Sequence, residues 1–449
     1  MDRALLSVGL DVGTTSTQMI LSRLTVKNQA SSFSVPKLEI AQRDILYRSP
    51  VHFTPLAAGT LVDGGALRRL VEAEYAAAGI TREDVDTGAV IVTGETSRKE
   101  NAKIVLEELS GLAGDFVVAT AGPDLESILA AKGAGAMERA KDRRVLHMDI
   151  GGGTSNLCLI EDGKVLETGC LNVGGRLLKL DQDGRITYVS PVLAGITDLQ
   201  VGQTPTASAL ENLAEKLVSA LEMAAGLRTP TDMLCKLTTK EAEKPWIIPV
   251  DVILSFSGGV ADCIGKDFEN LRFGDIGPVL GRAIRKSRLC AGEYFLGEET
   301  IRATVIGAGC HSVTLSGSTV FYQNIVFPLK NIPTVVAENP QSANDVKATL
   351  ARCEEDQVFL AIPGCTSYEA VKHLAKILAD GFGAHPVLVC LEKDAAKALG
   401  HCLRLLLGDR PCLCMDGISP EAGSYLDVGA PVGPALPVVI KTLVLGGNP

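Results

Sequence analysis

Two segments of the chain share one pattern, in which an apolar strand ends at an aspartate and a glycine-containing turn. The first reads GLDVGTTSTQMI over residues 9–20, and the second reads HMDIGGGTSNLCLI over residues 147–160. In each, one residue separates the aspartate from the glycine, small hydroxyl side chains follow, and a second apolar run returns. The pattern predicts two strand–turn–strand hairpins of the same design, and therefore an α/β chain that uses one unit twice.

The turns of both hairpins have the composition of a phosphate-binding loop. Glycine lets backbone N–H groups converge on an anion, and hydroxyl side chains add donors. A single Asp-x-Gly hairpin is most often only a hairpin, but two matching copies favour an ATP site between them. The ATP-binding residues predicted in the turns are Gly13, Thr14, Thr15, Gly151, Gly152, Gly153 and Thr154.

The aspartates of the two hairpins have a different predicted role. Asp11 and Asp149 do not contact phosphate directly, because like charges repel. Mg²⁺ keeps several of its waters and takes few carboxylates, so both aspartates are predicted to hold Mg²⁺ through water and to take part in catalysis. Neither turn has the Gly-Lys-Ser/Thr sequence of a Walker A loop.

Further glycines extend the prediction to adenosine and to a hinge. Gly258-Gly259 follows the apolar strand ILSFS, where the backbone can approach a flat ring such as adenine, although a tight turn is the simpler reading. The segments SILAAKGAGAM and TIRATVIGAGCHSV are predicted to be helices that cross closely. The alternative is that each glycine only ends its helix as a cap, which explains one such segment more easily than two. The predicted hinge residues are Gly133, Gly135, Gly307 and Gly309.

A carboxylate precedes the first of these helical segments. Glu126 is placed to orient a water for attack on the terminal phosphate. The simpler interpretation is that Glu126 is an ordinary glutamate in the first turn of a helix, where its negative charge interacts favourably with the helix dipole. Asp124 is the competing choice for the water-orienting group.

Composition argues against several other classes of protein. A formal net charge of −10 over 449 residues gives no general attraction to nucleic acid or anionic membranes. The 12 cysteines form no Cys-x-x-Cys pair, and those such as Cys158 and Cys390 lie inside apolar runs, which argues against a zinc site or a disulfide framework. With no signal-peptide pattern and no stretch of roughly 18 apolar residues, we expect a cytoplasmic protein.

Helix and strand signals alternate along the whole chain and predict three units. Residues 1–140 form the first lobe, with an insertion around 30–90. Residues 141–313 form the second lobe, from the second phosphate turn to the second connecting helix. Residues 314–449 form a return segment and a C-terminal α/β module.

Taken in order, five segments resemble the sugar kinase, heat-shock chaperone and actin superfamily: GLDVGTTSTQ, LESILAAKGAGA, MDIGGGTSN, LSFSGGVAD and TVIGAGCHS. The resemblance implies a two-lobed actin-like ATPase fold, made of duplicated ribonuclease H-like domains, here with an added C-terminal α/β module. It also implies a catalytic acid just before the first connecting glycines, which Glu126 matches. No lysine clearly replaces the phosphate-contacting lysine of the chaperones; Lys99 and Lys103 are placed for it by position only.

The whole chain resembles the EutA family, the reactivating factors of ethanolamine ammonia-lyase, notably in IVTGETSRKENA (91–102) and EKDAAKALGHCLRLLLG (392–408). The resemblance implies that ATP and Mg²⁺ drive exchange of damaged cobalamin for adenosylcobalamin, with cobalamin bound only in the lyase, and that ADP is formed. It implies the lyase as partner and association with a bacterial microcompartment. Homo-oligomerisation stays open.

Two other functions on the same fold are alternatives. A small-molecule kinase would need a base for a substrate hydroxyl, for which Asp262 or Asp124 is available. A filament protein like actin is the other alternative.

Overall fold

The computed structural model is an α/β protein in which helices connect three large sheets. It describes residues 3–13, 16–28, 38–57, 61–92, 109, 117–120, 123–239, 252–311, 313–317, 319–353, 355–365, 367–420 and 422–442. The predicted site residues Thr14 and Thr15, and the lysines at 99 and 103, lie outside these described residues.

The first sheet is built around the hairpin that contains Asp11. Its strands are β1 (Arg3–Val12), β2 (Ser16–Asn28), β3 (Leu38–Arg48), β4 (His52–Phe53), β5 (Thr87–Val92) and β6 (Val117–Thr120). The order is β3-β2-β1-β5-β6, with β4 pairing with β2. The first three strands are antiparallel, and β1, β5 and β6 are parallel. Helix α1 (Gly64–Ala77) is capped by the Asp63 carboxylate and covers one face of the sheet.

The second sheet is built around the hairpin that contains Asp149. Helices α2 (Pro123–Gly133) and α3 (Ala136–Arg139) precede it. Its strands are β7 (Arg144–Ile150), β8 (Ser155–Glu161), β9 (Lys164–Leu171), β12 (Ile253–Ser257) and β13 (Tyr294–Leu296), with the separate hairpin β10 (Leu178–Leu180) and β11 (Ile186–Val189). Four helices follow within this unit: α4 (Ala207–Ala224), α5 (Asp232–Leu237), α6 (Gly259–Gly265) and α7 (Gly277–Lys286).

The two sheets have the same topology. The second sheet has the order β13-β12-β7-β8-β9, which matches β6-β5-β1-β2-β3 of the first. In both, three antiparallel strands are followed by two strands parallel to the first. This repeated order confirms the predicted duplication of a ribonuclease H-like domain in an actin-like, two-lobed chain.

Each connecting helix packs against the sheet of the other lobe. Helix α2 follows the first sheet and buries Ala131 among Val145 and Cys158 of the second. Helix α8 (Ala303–His311) follows the second sheet and buries Val305 against Ile20 of the first. Because the helices are exchanged in this way, their crossing joins the two lobes.

The third sheet forms the C-terminal module. Its strands are β14 (Val313–Leu315), β15 (Val320–Gln323), β16 (Leu329–Val336), β17 (Phe359–Ile362), β18 (Val387–Leu391), β19 (Cys412–Asp416), β20 (Ser424–Val428) and β21 (Pro437–Thr442). Their order is β14-β21-β20-β16-β17-β18-β19-β15. Helices α9 (Ala343–Leu350), α10 (Tyr368–Gly381) and α11 (Ala396–Leu407) alternate with the parallel strands β16 to β19.

The C-terminal module has its own apolar core and also contacts the first lobe. Leu374 and Leu399 of its helices pack with Val389 on one face of the sheet. At the other end of the sheet, Val313 packs with Leu5 of β1. The domain boundaries at residues 140 and 313 stay predictions.

Candidate functional site

The first phosphate turn connects β1 to β2. Asp11 at the end of β1 lies opposite Gln18 of β2 in the antiparallel register. The Gly13 N–H donates to the Ser16 carbonyl at 2.9 Å, and the Thr54 hydroxyl donates to the Gly13 carbonyl at 2.8 Å. The backbone that flanks the two undescribed threonines is therefore held by one hydrogen bond across the turn and by one from Thr54, which follows β4.

The second phosphate turn connects β7 to β8 and is described completely. The Gly151 N–H donates to the Thr154 carbonyl at 2.9 Å and closes the turn. Among the described residues, the N–H groups of Gly152, Gly153 and Thr154 have no acceptor. Adjacent backbone donors without protein acceptors are the arrangement that binds phosphate oxygens, so this turn fits the predicted ligand.

An amide side chain faces each aspartate across its hairpin. Gln18 lies opposite Asp11, and Asn156 lies opposite Asp149. Within the described residues, the buried Oε1 of Gln18 and Oδ1 of Asn156 have no hydrogen-bond partner. Buried acceptors of this kind usually have a donor or an ordered water, and a hydrated Mg²⁺ beside the aspartates would supply one.

Sequence analysis did not single out these amides, although the pattern contains them. Each amide follows its aspartate by seven residues in both hairpins. Alignment of the two segments beyond the turn would have identified Gln18 and Asn156 as a matched pair.

Asp149 is buried at the point where three elements meet. Its carboxylate accepts hydrogen bonds from the Ser257 hydroxyl at the end of β12 and from Thr304 in α8. Burial raises its pKa to about 6, although both hydrogen bonds act to lower the pKa. A buried carboxylate whose pKa is raised in this way marks a candidate functional site.

A buried histidine continues this polar chain. His147 Nε2 lies 2.9 Å from the Ser257 hydroxyl, and Nδ1 lies 2.9 Å from the Ser255 hydroxyl. Burial lowers the pKa of His147 to about 3, so its ring is neutral at physiological pH. The ring therefore fixes the Ser257 hydroxyl beside Asp149 without adding charge.

The predicted adenosine turn lies directly beside the second phosphate turn. Gly258 has φ of +84°, and a Cβ there would lie 2.6 Å from the carbonyl carbon of Ile150. Only glycine permits this approach. Gly259 begins α6, and a Cβ there would meet only the Ile301 side chain, at 3.9 Å. Both glycines therefore lie beside the second phosphate turn, and their contact with adenosine stays a prediction.

Residues 300–304, which we call the latch segment, contact both lobes. The Thr300 carbonyl accepts from the Gly258 N–H at 3.0 Å, and the Thr300 hydroxyl donates to Asp262 at 2.6 Å. The Ile301 carbonyl accepts from Gln18 at 3.2 Å. Together with Thr304 on Asp149, these bonds connect the adenosine turn and both hairpins to the start of α8. Sequence analysis treated this segment only as part of a helix.

The hinge glycines divide into two groups. A Cβ on Gly133 would lie 2.7 Å from the Gly307 nitrogen, and a Cβ on Gly307 would lie 2.6 Å from the Leu129 carbonyl carbon. A Cβ on Gly309 would lie 2.9 Å from the Gly9 nitrogen of β1. Gly135 instead takes a φ of +74° in the turn before α3. The first three therefore lie at close backbone contacts, and Gly135 lies beyond the crossing.

The two candidate acids lie in the first turn of α2. Asp124 accepts a hydrogen bond from the Thr168 hydroxyl of β9. Glu126 is partly buried and lies seven residues before Gly133, on the side of α2 that crosses α8. This placement favours Glu126 over Asp124 as the group nearer the interlobe crossing, and its catalytic role stays a prediction.

A second glycine pair, which sequence analysis did not identify, supports the second phosphate turn. The Gly175 N–H donates to the Gly151 carbonyl at 3.0 Å, and the Arg176 N–H donates to the Gly152 carbonyl at 2.6 Å. A Cβ on Gly174 would lie 2.8 Å from the Gly153 nitrogen. The loop at 174–176 therefore holds the turn's carbonyls, which leaves its N–H groups on the other side.

The sequence of the whole chain matches one known protein family. A model of the family described as ethanolamine utilisation protein EutA matches residues 3–446. The chain belongs to the EutA family. Two members named ethanolamine ammonia-lyase reactivase EutA, from Salmonella typhimurium and Escherichia coli, are each 38% identical to it over 98% of both chains.

Solved structures give weaker likenesses to this EutA-family chain. A Ppx/GppA protein of Aquifex aeolicus is 14% identical, with 58% of this chain and 69% of that chain covered and a TM-score of 0.36. The ethanolamine utilisation protein EutJ of Carboxydothermus hydrogenoformans is 16% identical, with 68% and 89% covered and a TM-score of 0.33. At such scores, the fold assignment depends on the repeated strand order of the two sheets.

Two negative findings apply to the described part of this EutA-family chain. None of its helices there is long and apolar enough to cross a membrane. No group of three or more His, Cys, Asp or Glu side chains there is placed to hold a metal ion.

Proposed function

We propose that this chain is an ATP- and Mg²⁺-dependent reactivating chaperone, which exchanges damaged cobalamin for adenosylcobalamin in inactivated ethanolamine ammonia-lyase. The observation that carries the proposal is the pair of matched Asp-x-Gly hairpins, one on each lobe, connected through the latch segment. Membership of the EutA family and the names of its 38% identical relatives support the lyase as partner.

The nucleotide would lie between the lobes. The N–H groups of residues 152–154 and the turn at Gly13 would bind the phosphates, and Gly258-Gly259 would lie against adenosine. Asp11 and Asp149 would hold Mg²⁺ through its waters, with Gln18 and Asn156 as acceptors for those waters. Bound there, Mg²⁺ would neutralise charge on the phosphates.

Hydrolysis would need one more group. In this proposal the Glu126 carboxylate accepts a hydrogen bond from water and orients it toward the terminal phosphorus. The water oxygen forms a bond to that phosphorus as the bond to the ADP oxygen breaks, and the products are ADP and phosphate.

In this proposal, the latch segment couples nucleotide binding to the relative position of the two lobes. Its bonds to Gln18 on one lobe and to Gly258 on the other require the two lobes to keep one relative arrangement. Phosphates that contact both hairpins would stabilise this closed arrangement, and their loss would favour an open one. A lyase that binds the two arrangements unequally would be opened or released once in each nucleotide cycle.

Reactivation of the lyase tests the proposal. Inactivated ethanolamine ammonia-lyase should regain most of its activity when incubated with this protein, adenosylcobalamin, Mg²⁺ and ATP, and little when ATP is replaced by adenosine. The Asp11→Asn variant should lose the effect, and a surface variant such as Asp198→Asn should keep it. No recovery, together with no nucleotide-dependent complex of the two proteins, would contradict the proposal. Strong stimulation of ADP release by a small hydroxylated substrate would favour a kinase instead.

A further inference from the structure

Gln18 contacts the latch segment through one end of its side-chain amide. The residue lies on β2 and is only 4% exposed, and its Nε2 donates to the Ile301 carbonyl at 3.2 Å. The Ile301 oxygen can only accept a hydrogen bond, so the amide must present its nitrogen there and its oxygen on the other side. This contact therefore fixes which end of the Gln18 amide faces the latch segment.

The other end of the amide, Oε1, lacks a hydrogen-bond donor. Oε1 is buried and has no partner among the described residues. Gln18 lies directly opposite Asp11 in the antiparallel register of the first hairpin, and side chains paired in this way share one face of the sheet. The unsatisfied oxygen is therefore on the face of the hairpin that carries the Asp11 carboxylate, where the proposed function places a hydrated Mg²⁺.

The matching amide of the second hairpin does not contact the latch segment. Asn156 lies opposite Asp149 and also has a buried oxygen without a donor. Within the described part of the chain, its side chain makes no hydrogen bond to the latch segment or to the first lobe. Of these two amides, Gln18 is therefore the one that connects the site to a segment in contact with both lobes.

An empty site penalises the observed position of the Gln18 amide. A buried acceptor without a donor costs free energy, and this cost falls on the closed arrangement, in which Nε2 bonds to Ile301. When the lobes separate, water reaches Oε1 and the cost disappears, but the bond to Ile301 is lost. A donor beside Asp11 would remove the cost without separating the lobes. The balance between the closed and open arrangements would therefore change when the site fills.

We propose that Gln18 is a positioning residue that makes the contact with the latch segment depend on the metal site. Oε1 accepts a hydrogen bond from a metal-bound water, and the amide, fixed at both ends, holds the Ile301 carbonyl through Nε2. The inference deepens the proposed function and rests on it, because it requires Mg²⁺–nucleotide between the hairpins. It assigns to Gln18 a role in closing the lobes, in addition to accepting a hydrogen bond from water.

Hydrogen exchange at the start of α8 tests the proposal. The N–H groups of Ala303 and Ile306 donate to the carbonyls of Thr300 and Arg302, at 3.1 and 3.0 Å, so their exchange reports on opening of the latch segment. In the wild type, saturating Mg²⁺ and adenylyl imidodiphosphate should slow this exchange about tenfold. Adenosine alone, or the analogue in EDTA, should change it by less than about twofold, because neither supplies a metal-bound water.

Gln18→Met keeps the length of the side chain and removes both polar atoms. With the ligand saturating, as verified by calorimetry, Mg²⁺ and the analogue should slow exchange in this variant by less than about twofold. A residue with only a structural role would instead change exchange equally in the empty and the filled protein.

Arg302→Met is the matched control, because Arg302 makes another side-chain bond from the latch segment to the first lobe, from Nη2 to the Ser49 carbonyl at 3.0 Å. It should speed exchange in both states and keep the difference between them. If the wild type binds nucleotide without this difference, if Gln18→Met keeps the difference, or if Arg302→Met loses it equally, the inference is wrong and the proposed function stands. If the wild type binds no Mg²⁺–nucleotide, the proposed function fails and this inference fails with it.

Discussion

Replacement of Asp149 by asparagine is expected to weaken Mg²⁺-dependent ATP binding by about tenfold to a hundredfold, the usual cost of losing an outer-sphere partner of a metal. The carboxylate is buried where the second hairpin, β12 and α8 meet, and it accepts hydrogen bonds there from Ser257 and Thr304. Nucleotide binding in EDTA should change much less, because the backbone donors of the turn stay in place. Calorimetric titration with and without Mg²⁺ measures both quantities.

The same variant should stabilise the nucleotide-free protein. Burial raises the pKa of Asp149 from 3.8 to about 6. A raised carboxylate pKa means that the folded state binds this proton more tightly than the unfolded state. The free energy of unfolding therefore falls as the pH rises from about 4 to 6, and the penalty persists above pH 6. The neutral asparagine side chain carries no such penalty, so the variant should gain about 1–3 kcal/mol at pH 7.5 and little at pH 4.

Two comparisons control this prediction. Asp198→Asn removes an exposed aspartate and should change neither binding nor stability. Mg²⁺-dependent binding to the wild type should weaken about tenfold between pH 7 and pH 5 as Asp149 is protonated, and the Asp149→Asn variant should lack that pH dependence. Equal Mg²⁺–nucleotide affinities of variant and wild type would refute the role assigned to Asp149.

Replacement of Gly307 by alanine is expected to lower the free energy of unfolding substantially. The new Cβ would lie 2.6 Å from the Leu129 carbonyl carbon, inside the crossing of α2 and α8. Alanine would gain about 1 kcal/mol in helix propensity. The atoms that its Cβ would meet belong to the backbone of α2, however, and backbone cannot move aside as a flexible side chain does. We expect a net loss of about 2–4 kcal/mol in the free energy of unfolding, measured by urea titration.

Gly292→Ala is the matched control for the crossing, because nothing lies within 4 Å of its Cβ position. It should change the free energy of unfolding by less than about 0.5 kcal/mol. Small-angle scattering should show that Gly307→Ala, where it still folds, no longer changes shape when ATP is added. A Gly307→Ala variant as stable as Gly292→Ala would show that the helices do not need this close contact.

The sequence predicted the fold because the same local pattern occurs twice. A strand, an aspartate, a glycine turn and a returning strand are contiguous residues, so both hairpins could be located directly. The order of the third sheet could not be predicted in the same way. Its edge strand β15 pairs with β19, about 90 residues later, and β14 pairs with β21. Such pairings depend on packing between distant segments.

In the candidate site, too, the residues of contiguous patterns could be predicted, and those that meet only through folding could not. Asp11, Asp149 and the turn glycines belong to the contiguous pattern, whereas Arg176 reaches Gly152 only through a loop that folds back after β9. His147 has no sequence signal, because its partners Ser255 and Ser257 are on β12. The latch segment was missed for a similar reason, since its polar groups act through contacts with both lobes.

The central claim is that both hairpins hold one Mg²⁺–nucleotide between the lobes. Crystals grown with Mn²⁺ in place of Mg²⁺ and adenylyl imidodiphosphate allow the ion to be located by its anomalous scattering. The account predicts one Mn²⁺ about 4 to 5 Å from the carboxylates of both Asp11 and Asp149, separated from them by water, with phosphates on the N–H groups of residues 152–154. An ion and phosphates that contact one hairpin alone, or a nucleotide bound in the C-terminal module, would contradict it.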